Sequence, residues 1–564
     1  MLKGIGASEG IGIGKALKLL NKPIVYEDIS PSDPTEEKKR FESAVKVFCD
    51  RNEERAKRMD QLGSDGEILR GHTAMLSDPY MLSQMNELID NGACAEKAVE
   101  TVCDTFISIF SATDDELTKQ RAVDVEDIKK QLQKILLGIE DVDLSRLPPD
   151  TILVVEELTP SMTAEMDKKN VAGIVTEKGG KTSHSAIISR SLKIPAVLSV
   201  ENALALIQSG KDVIVDGGSG EVYTDVDDAL REQFLAARKR FAKKAEEEEK
   251  FRGKQTVTKD GVVKKLYANI GSHKELEAVL DGDAEGIGLF RTEFLFMDRN
   301  SMPTEEEQFE AYKAVAVGMR GKEVIIRTLD VGGDKNIPYM NLKKEENPFM
   351  GFRAIRYCLS NREMYKSQLR AILRASAYGN VSVMVPLVTR VEEIREVREI
   401  AEELKNELNV KNIPYKKDIK IGVMIETPAA CLIADLLAKY SDFFSIGTND
   451  LTGYIMAADR GNADVGYLYS ALDPAVLRAI KHIVSSAVKR GISCGMCGEA
   501  AADPRLIPLL VSFGLEEFSV NPSSVLSVRR ILSKLDRKTC DEISEKALSM
   551  ENEKEVSAYL SSLS

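Results

Sequence analysis

The chain has 564 residues, 43% of them hydrophobic and 30% charged, a soluble globular composition that predicts about four domains of roughly 150 residues each. Its formal net charge of −13 argues against nucleic acid or an anionic membrane as a partner, and any phosphate-bearing substrate needs a local cluster of Arg or Lys against that sign. Eight cysteines without a disulfide-scaffold spacing, no signal-peptide core and no apolar run of transmembrane length predict a cytoplasmic protein.

Residues 1–20 read as a short glycine-rich strand hairpin. From Glu36 to Gly138 charged and apolar residues alternate at three- and four-residue steps (Phe41, Val45, Phe48), which predicts a helical bundle ending near Leu147-Pro148-Pro149. Short apolar runs then predict strands at Thr151–Val155, Val171–Thr176, Ala196–Val200 and Val213–Asp216. The expected organisation is a multidomain α/β protein with a helical domain (30–144) inserted in an α/β domain (1–20 plus 145–228). Ala229 to Gln255, rich in Arg, Lys and Glu, predicts about 27 residues of helix, roughly 40 Å long, within a linker at 229–258. Over 259–564, strand-like runs at Leu266–Ile270, Gly286–Phe290, Val324–Ile326, Val381–Val385, Ile421–Ile425, Phe443–Ile446, Ser493–Met496 and Glu517–Val520 alternate mostly with helix-length segments. That alternation predicts a (β/α)8 TIM barrel.

Two features carry chemistry. The first is His184, in Gly179-Gly180-Lys181-Thr182-Ser183-His184-Ser185, between a predicted strand and a predicted helix N-terminus. Helix N-termini favour phosphate, and an imidazole there is either a phosphoryl acceptor or a helix cap. The second is the set of polar residues after successive barrel strands: Arg291 and Glu293, Arg327 and Asp330, Glu426, Asn449 and Asp450, Cys497 and Glu499. Barrel enzymes keep their active sites at that rim. Arg291, Arg327 and Arg460, with Lys335 and Arg353 from the insertion after the third strand, suit a phosphate or carboxylate substrate, although an isolated Arg is more often a rim salt bridge. Glu426 and Asp450 offer two hard oxygen ligands of the kind that hold Mg²⁺; Asp450 alternatively caps a helix beginning near Leu451. Cys497, in the lone pair Cys494-Gly495-Met496-Cys497, is a candidate general acid or a buried structural thiol. His273 and His482 fall in exposed helical stretches, and His72 lies in the helical region.

The stretches Gly179–Ser185, Gly286–Met297, Arg327–Lys335, Ile446–Thr452 and Gly495–Glu499, in this order, resemble the enzyme I family of the bacterial phosphotransferase system, the phosphoenolpyruvate–protein phosphotransferases. The resemblance runs from Gly6-Ala7-Ser8 to the C-terminal region. It implies that His184 accepts the phosphoryl group of phosphoenolpyruvate, with release of pyruvate. It further implies that Arg291, Arg327 and Arg460 hold the phosphate, Asn449 the carboxylate end, and Glu426 with Asp450 the Mg²⁺. Cys497 then protonates the enolate at carbon 3. The helical domain is expected to dock the histidine-containing phosphocarrier protein in the first step of sugar transport, and the barrel to form a homodimer. Gly453, Asp473, Arg70 and Gln131 depart from the family pattern, the last two where the partner docks. The related pyruvate-phosphate dikinases and phosphoenolpyruvate synthases need a nucleotide-binding domain, and no phosphate-binding loop for one is visible. A non-catalytic relative is disfavoured because every predicted catalytic position holds a competent residue.

Overall fold

The structure is a computed structural model that describes every residue except 20–23, 32, 62–66, 112–115, 140–143, 159–161, 164–165, 181–188, 190–191, 298, 300, 333–336, 341, 460–461, 463 and 564. The chain divides into two compact units, Met1–Glu246 and Glu247–Ser564.

The first unit holds strands β1 (Leu2–Lys3), β2 (Ile5–Ser8) and β3 (Ile11–Lys18) and helices α1 (Pro34–Gln61), α2 (Glu67–Leu76), α3 (Pro79–Asp90), α4 (Ala95–Ser111) and α5 (Glu116–Leu136). After them come β4 (Thr151–Val155), β5 (Val171–Thr176), β6 (Ala196–Leu198), the helical turn α6 (Ala203–Leu206), β7 (Asp212–Asp216) and β8 (Glu221–Tyr223). One sheet runs β1-β8-β7-β3-β4-β5-β6-β2. The expected hairpin of residues 1–20 is therefore absent: β2 pairs with β6, while β3 pairs with β4 and β7. The glycines that suggested a hairpin turn instead permit close packing. A Cβ on Gly14 would lie 1.7 Å from the carbonyl oxygen of Asp150, and one on Gly12 would lie 2.3 Å from that of Ala172. The five helices bury Phe41, Phe48, Leu76, Met85, Val99 and Leu132 in a core of their own, as their amphipathic spacing requires.

Helix α7 (Asp228–Glu249) is shorter than expected, 22 residues or roughly 33 Å. It stops at Glu249 because the chain turns through Gly253 at a φ of 70°. Buried Arg529 then pins the turn, donating to the Phe251 carbonyl at 3.1 Å.

In the second unit β9 (Lys265–Ile270), β10 (Ile287–Phe290), β11 (Val324–Arg327), β12 (Val381–Val385), β13 (Ile421–Ile425), β14 (Phe443–Ile446), β15 (Ser493–Met496) and β16 (Glu517–Val520) close a parallel barrel. Each strand matches a predicted run to within a residue at either end. Parallel strands are covered on both faces, so they read as continuous apolar runs. At the N-terminal end of the barrel the interior is polar. Glu517 packs between Gly288 and Gly495, near Glu323 and Tyr267, whose hydroxyl donates to Glu323 at 3.0 Å. Burial, reinforced by the Glu323 charge, pushes the Glu517 carboxyl up to about 8. Folding thus favours protonated Glu517, and its contribution is lost as pH rises from the ordinary carboxylate range through that value. Glu517→Gln is expected to flatten the decline in urea midpoint between about pH 5 and pH 8, gaining at least about 1.4 kcal/mol at the upper end, the worth of one pK unit. An unchanged decline would locate its cause elsewhere.

Candidate active site

At the other end of the barrel the strand termini bring charges together. Arg327 is the last residue of β11, and its side chain is only 12% exposed. It donates to Glu293 at 2.9 Å and pairs with Asp330 at 3.1 Å. Arg353, from the long β11–β12 connection, donates to Asp330 at 2.7 Å and approaches Asp450 at 3.6 Å. Burial opposes the charged form of both arginines. The neighbouring carboxylates, Glu293 and Asp330 for Arg327, Asp330 and Asp450 for Arg353, outweigh it and hold both guanidinium groups well above their ordinary value. The result is an alternating row, Glu293–Arg327–Asp330–Arg353–Asp450, assembled from three strand ends and the β11–β12 connection. Two buried N–H groups in it, Arg327 Nε and Arg353 Nη1, have no hydrogen-bond partner among the described residues. Buried donors without acceptors are costly, and they suit an anionic ligand that supplies the oxygens.

Glu426 follows β13 and is buried; one of its oxygens accepts from the Leu387 N–H at 2.6 Å. A Cβ on Gly447 would lie 2.6 Å from its other oxygen, so that glycine keeps the carboxylate's place open. Burial raises Glu426 far above the carboxylate range, and the charges of Asp450 and Asp330 raise it further. Two hard oxygen donors that repel each other in a desolvated site fit a divalent cation. Among the described residues no group of three or more His, Cys, Asp or Glu could hold a metal ion, so further ligands would come from substrate and water. Asp450 is not a helix cap. The helix Thr448–Met456 starts three residues earlier than the sequence suggested, its N-cap is Gly447, and Asp450 sits in the first turn, where the helix dipole favours an anion.

Cys497, immediately after β15, is 3% exposed and packs with Leu289, Ile325, Met384, Met424 and Phe443 inside the barrel. Burial pushes its thiol up to about 11, and the charges of Arg327 and Arg291 pull the other way. The thiol therefore stays protonated at neutral pH. Arg291, directly after β10, is half-buried. Asn449 is also half-buried, and its carbonyl accepts from Tyr469 Oη at 2.8 Å. His184, Lys335 and Arg460 lie outside the described residues.

The structure thus brings Arg327, Arg353, Glu426, Asp450 and Cys497 to one rim, with Arg291 close enough for its charge to reach the thiol. Sequence reasoning noted Glu293 and Asp330 at strand ends without seeing that they are the counter-ions of the arginines. Their placement beside Arg291 and Arg327 was the available signal. It also missed buried Gln368, whose amide accepts from the Leu329 N–H at 2.9 Å and donates to Thr292 at 3.2 Å, tying two of these strand ends together. Of the other histidines, His273 and His482 are exposed, and His72 is buried against Asp124 at 3.3 Å. Among the described residues no helix is long and apolar enough to cross a membrane.

Residues 3–121 match the model of the PEP-utilising enzyme N-terminal domain, 147–220 that of its mobile domain and 245–537 that of its PEP-binding domain. The phosphoenolpyruvate-protein phosphotransferase of Listeria innocua is 44% identical, covering 98% of this chain and 98% of that protein. Those of Bacillus subtilis (99% of each chain) and Lactococcus lactis subsp. cremoris (97% of this chain, 96% of that protein) are both 43% identical. This chain belongs to the phosphoenolpyruvate-protein phosphotransferase family.

Proposed function

We propose that this protein takes the phosphoryl group of phosphoenolpyruvate onto its own His184, releases pyruvate, and passes the phosphoryl group to a histidine-containing phosphocarrier protein. This is the first step of sugar phosphotransferase transport, carried out in the cytoplasm by a homodimer. The observation that carries the reading is the row of buried arginines at the barrel rim, with two N–H groups that have no partner among the described residues, beside a buried protonated thiol.

Arg327, with Arg291, Arg460, Lys335 and Arg353, grips the substrate phosphate, and the Arg327 and Arg353 forks are held in place by Glu293 and Asp330 before substrate arrives. Asn449 binds the carboxylate end. An imidazole nitrogen of His184 attacks phosphorus; a P–N bond forms, the bond from phosphorus to the enol oxygen breaks, and its electron pair stays on that oxygen. The enolate then re-forms its carbonyl while the carbon 3 electron pair takes the proton of the Cys497 thiol, leaving a thiolate that water reprotonates. A divalent cation, Mg²⁺, held by Glu426 and Asp450 would supply charge neutralisation to the substrate oxygens.

The decisive experiment is phosphopeptide mapping after incubation with Mg²⁺ and phosphoenolpyruvate labelled in the phosphoryl group. One acid-labile label is expected, on the peptide containing His184. Label on any other residue, or labelling from ATP in place of phosphoenolpyruvate, would overturn the assignment.

A further inference from the structure

The thiol that protonates the enolate must meet one carbon at one face, yet Cys497 stands one residue beyond its strand, where regular β pairing has ended. Its N–H still reaches the Ile446 carbonyl of β14 at 3.2 Å. Its carbonyl is held from the opposite direction. Asn269, near the end of β9, donates from Nδ2 to the Cys497 oxygen at 3.0 Å. β9 is not a neighbour of β15; β16 lies between them. The amide therefore reaches past a whole strand. β16 fixes its orientation: Asn269 Nδ2 also donates to the Ser519 carbonyl at 3.2 Å, and Asn269 Oδ1 accepts from Ser519 Oγ at 2.6 Å. Asn269 is 8% exposed and Ser519 fully buried, so water does not compete for these bonds. One amide, with both of its donors and its oxygen engaged, joins β9, β16 and β15 at the level of the thiol.

We propose that Asn269, oriented by Ser519, is a positioning residue for Cys497: it fixes the backbone from which the thiol delivers its proton to carbon 3. The inference rests on the role given to Cys497 above. Catalysis falls steeply with misplacement, since about 1 Å can cost on the order of 10²-fold. Asn269 touches neither phosphate nor carboxylate in this scheme, so substrate affinity is left alone.

The test is a double-variant cycle in the full-length protein, reading single-turnover pyruvate formation and phosphoenolpyruvate affinity, both with Mg²⁺ present. Asn269→Ala is expected to slow pyruvate formation by about 10–100-fold while changing affinity less than about 2-fold. In a Cys497→Ala background the same substitution should cost less than about 2-fold, because the group it positions is gone. Equal losses in both backgrounds, or affinity falling in step with rate, would show a merely structural amide and overturn the proposal. If Asn269→Ala fails to fold, Ser519→Ala removes only the orienting hydroxyl; it should slow pyruvate formation by about 3-fold with affinity unchanged, and an unaltered rate would count against the proposal. Full turnover in Cys497→Ala alone would remove the assignment of Cys497, and this proposal with it. That result is distinguishable because it arises without touching Asn269.

Discussion

Arg327→Leu is expected to slow pyruvate formation by about 10²–10³-fold and to destabilise the barrel by about 3–5 kcal/mol. The two losses have different origins. Arg327 neutralises Glu293 and Asp330, whose side chains are 9% and 5% exposed, so removing it takes this counter-ion from Glu293, which keeps the Asp330 N–H at 3.0 Å, and leaves Asp330 to Arg353. Breaking a buried pair leaves an uncompensated charge, and that penalty exceeds the worth of the pair itself. The catalytic loss comes from the missing fork over the substrate phosphate. Adding Glu293→Gln separates them: the double variant should recover part of the stability, seen as a rise in urea midpoint, and none of the turnover. Turnover within 10-fold of wild type in Arg327→Leu would remove this arginine from the phosphate site.

Cys497→Ser is expected to slow pyruvate formation by about 10²–10⁴-fold, the usual worth of a positioned acid, with phosphoenolpyruvate affinity changed by less than about 2-fold. Serine has nearly the same shape, so packing against Met424 and Phe443 survives. What is lost is acidity, because a hydroxyl gives up its proton far less readily than a thiol. The pH dependence carries an independent check. Burial holds the thiol at about 11, above its ordinary value, so the protonated form persists upward in pH and Cys497 adds no alkaline limb to the rate below about pH 10. A limb near the ordinary thiol value of about 8.5 that disappears in Cys497→Ser would contradict the burial described above.

The barrel was legible because its strands are covered on both faces. Runs such as Val381–Val385 and Ile421–Ile425 contain nothing but residues that the core accepts, and the structure buries all five positions in each. The rim followed from that, since the residue after each strand must lie at the same end. Other features depend on distant partners and were not legible. Glycines in residues 1–20 signal tightness, but only the tertiary fold shows that the tight approach is to Asp150 and Ala172, not across a hairpin. The stop of α7 at Glu249 depends on a turn pinned by Arg529, which lies 278 positions downstream of the carbonyl it holds. Charge pairing was the largest omission. Glu293 reaches Arg327 across 34 residues of sequence, and no local spacing rule reports such a contact. The start of the helix at Thr448 was hidden because Gly447 caps it without a side-chain bond.

The sheet order of the first unit also fixes when that unit can be completed during synthesis. Among the described residues Ile5–Ser8 pairs with Ala196–Leu198 alone, and Leu2–Lys3 with Glu221 and Val222, so these two strands wait for partners that are made much later. At about 5–20 residues per second the ribosome needs on the order of 10–45 s to reach that point. The five helices, whose contacts are local, are complete well before it. Throughout that interval β2 and β1 are strands without partners, at risk of pairing with another nascent chain. Their lengths, four and two residues, give such an encounter little to hold.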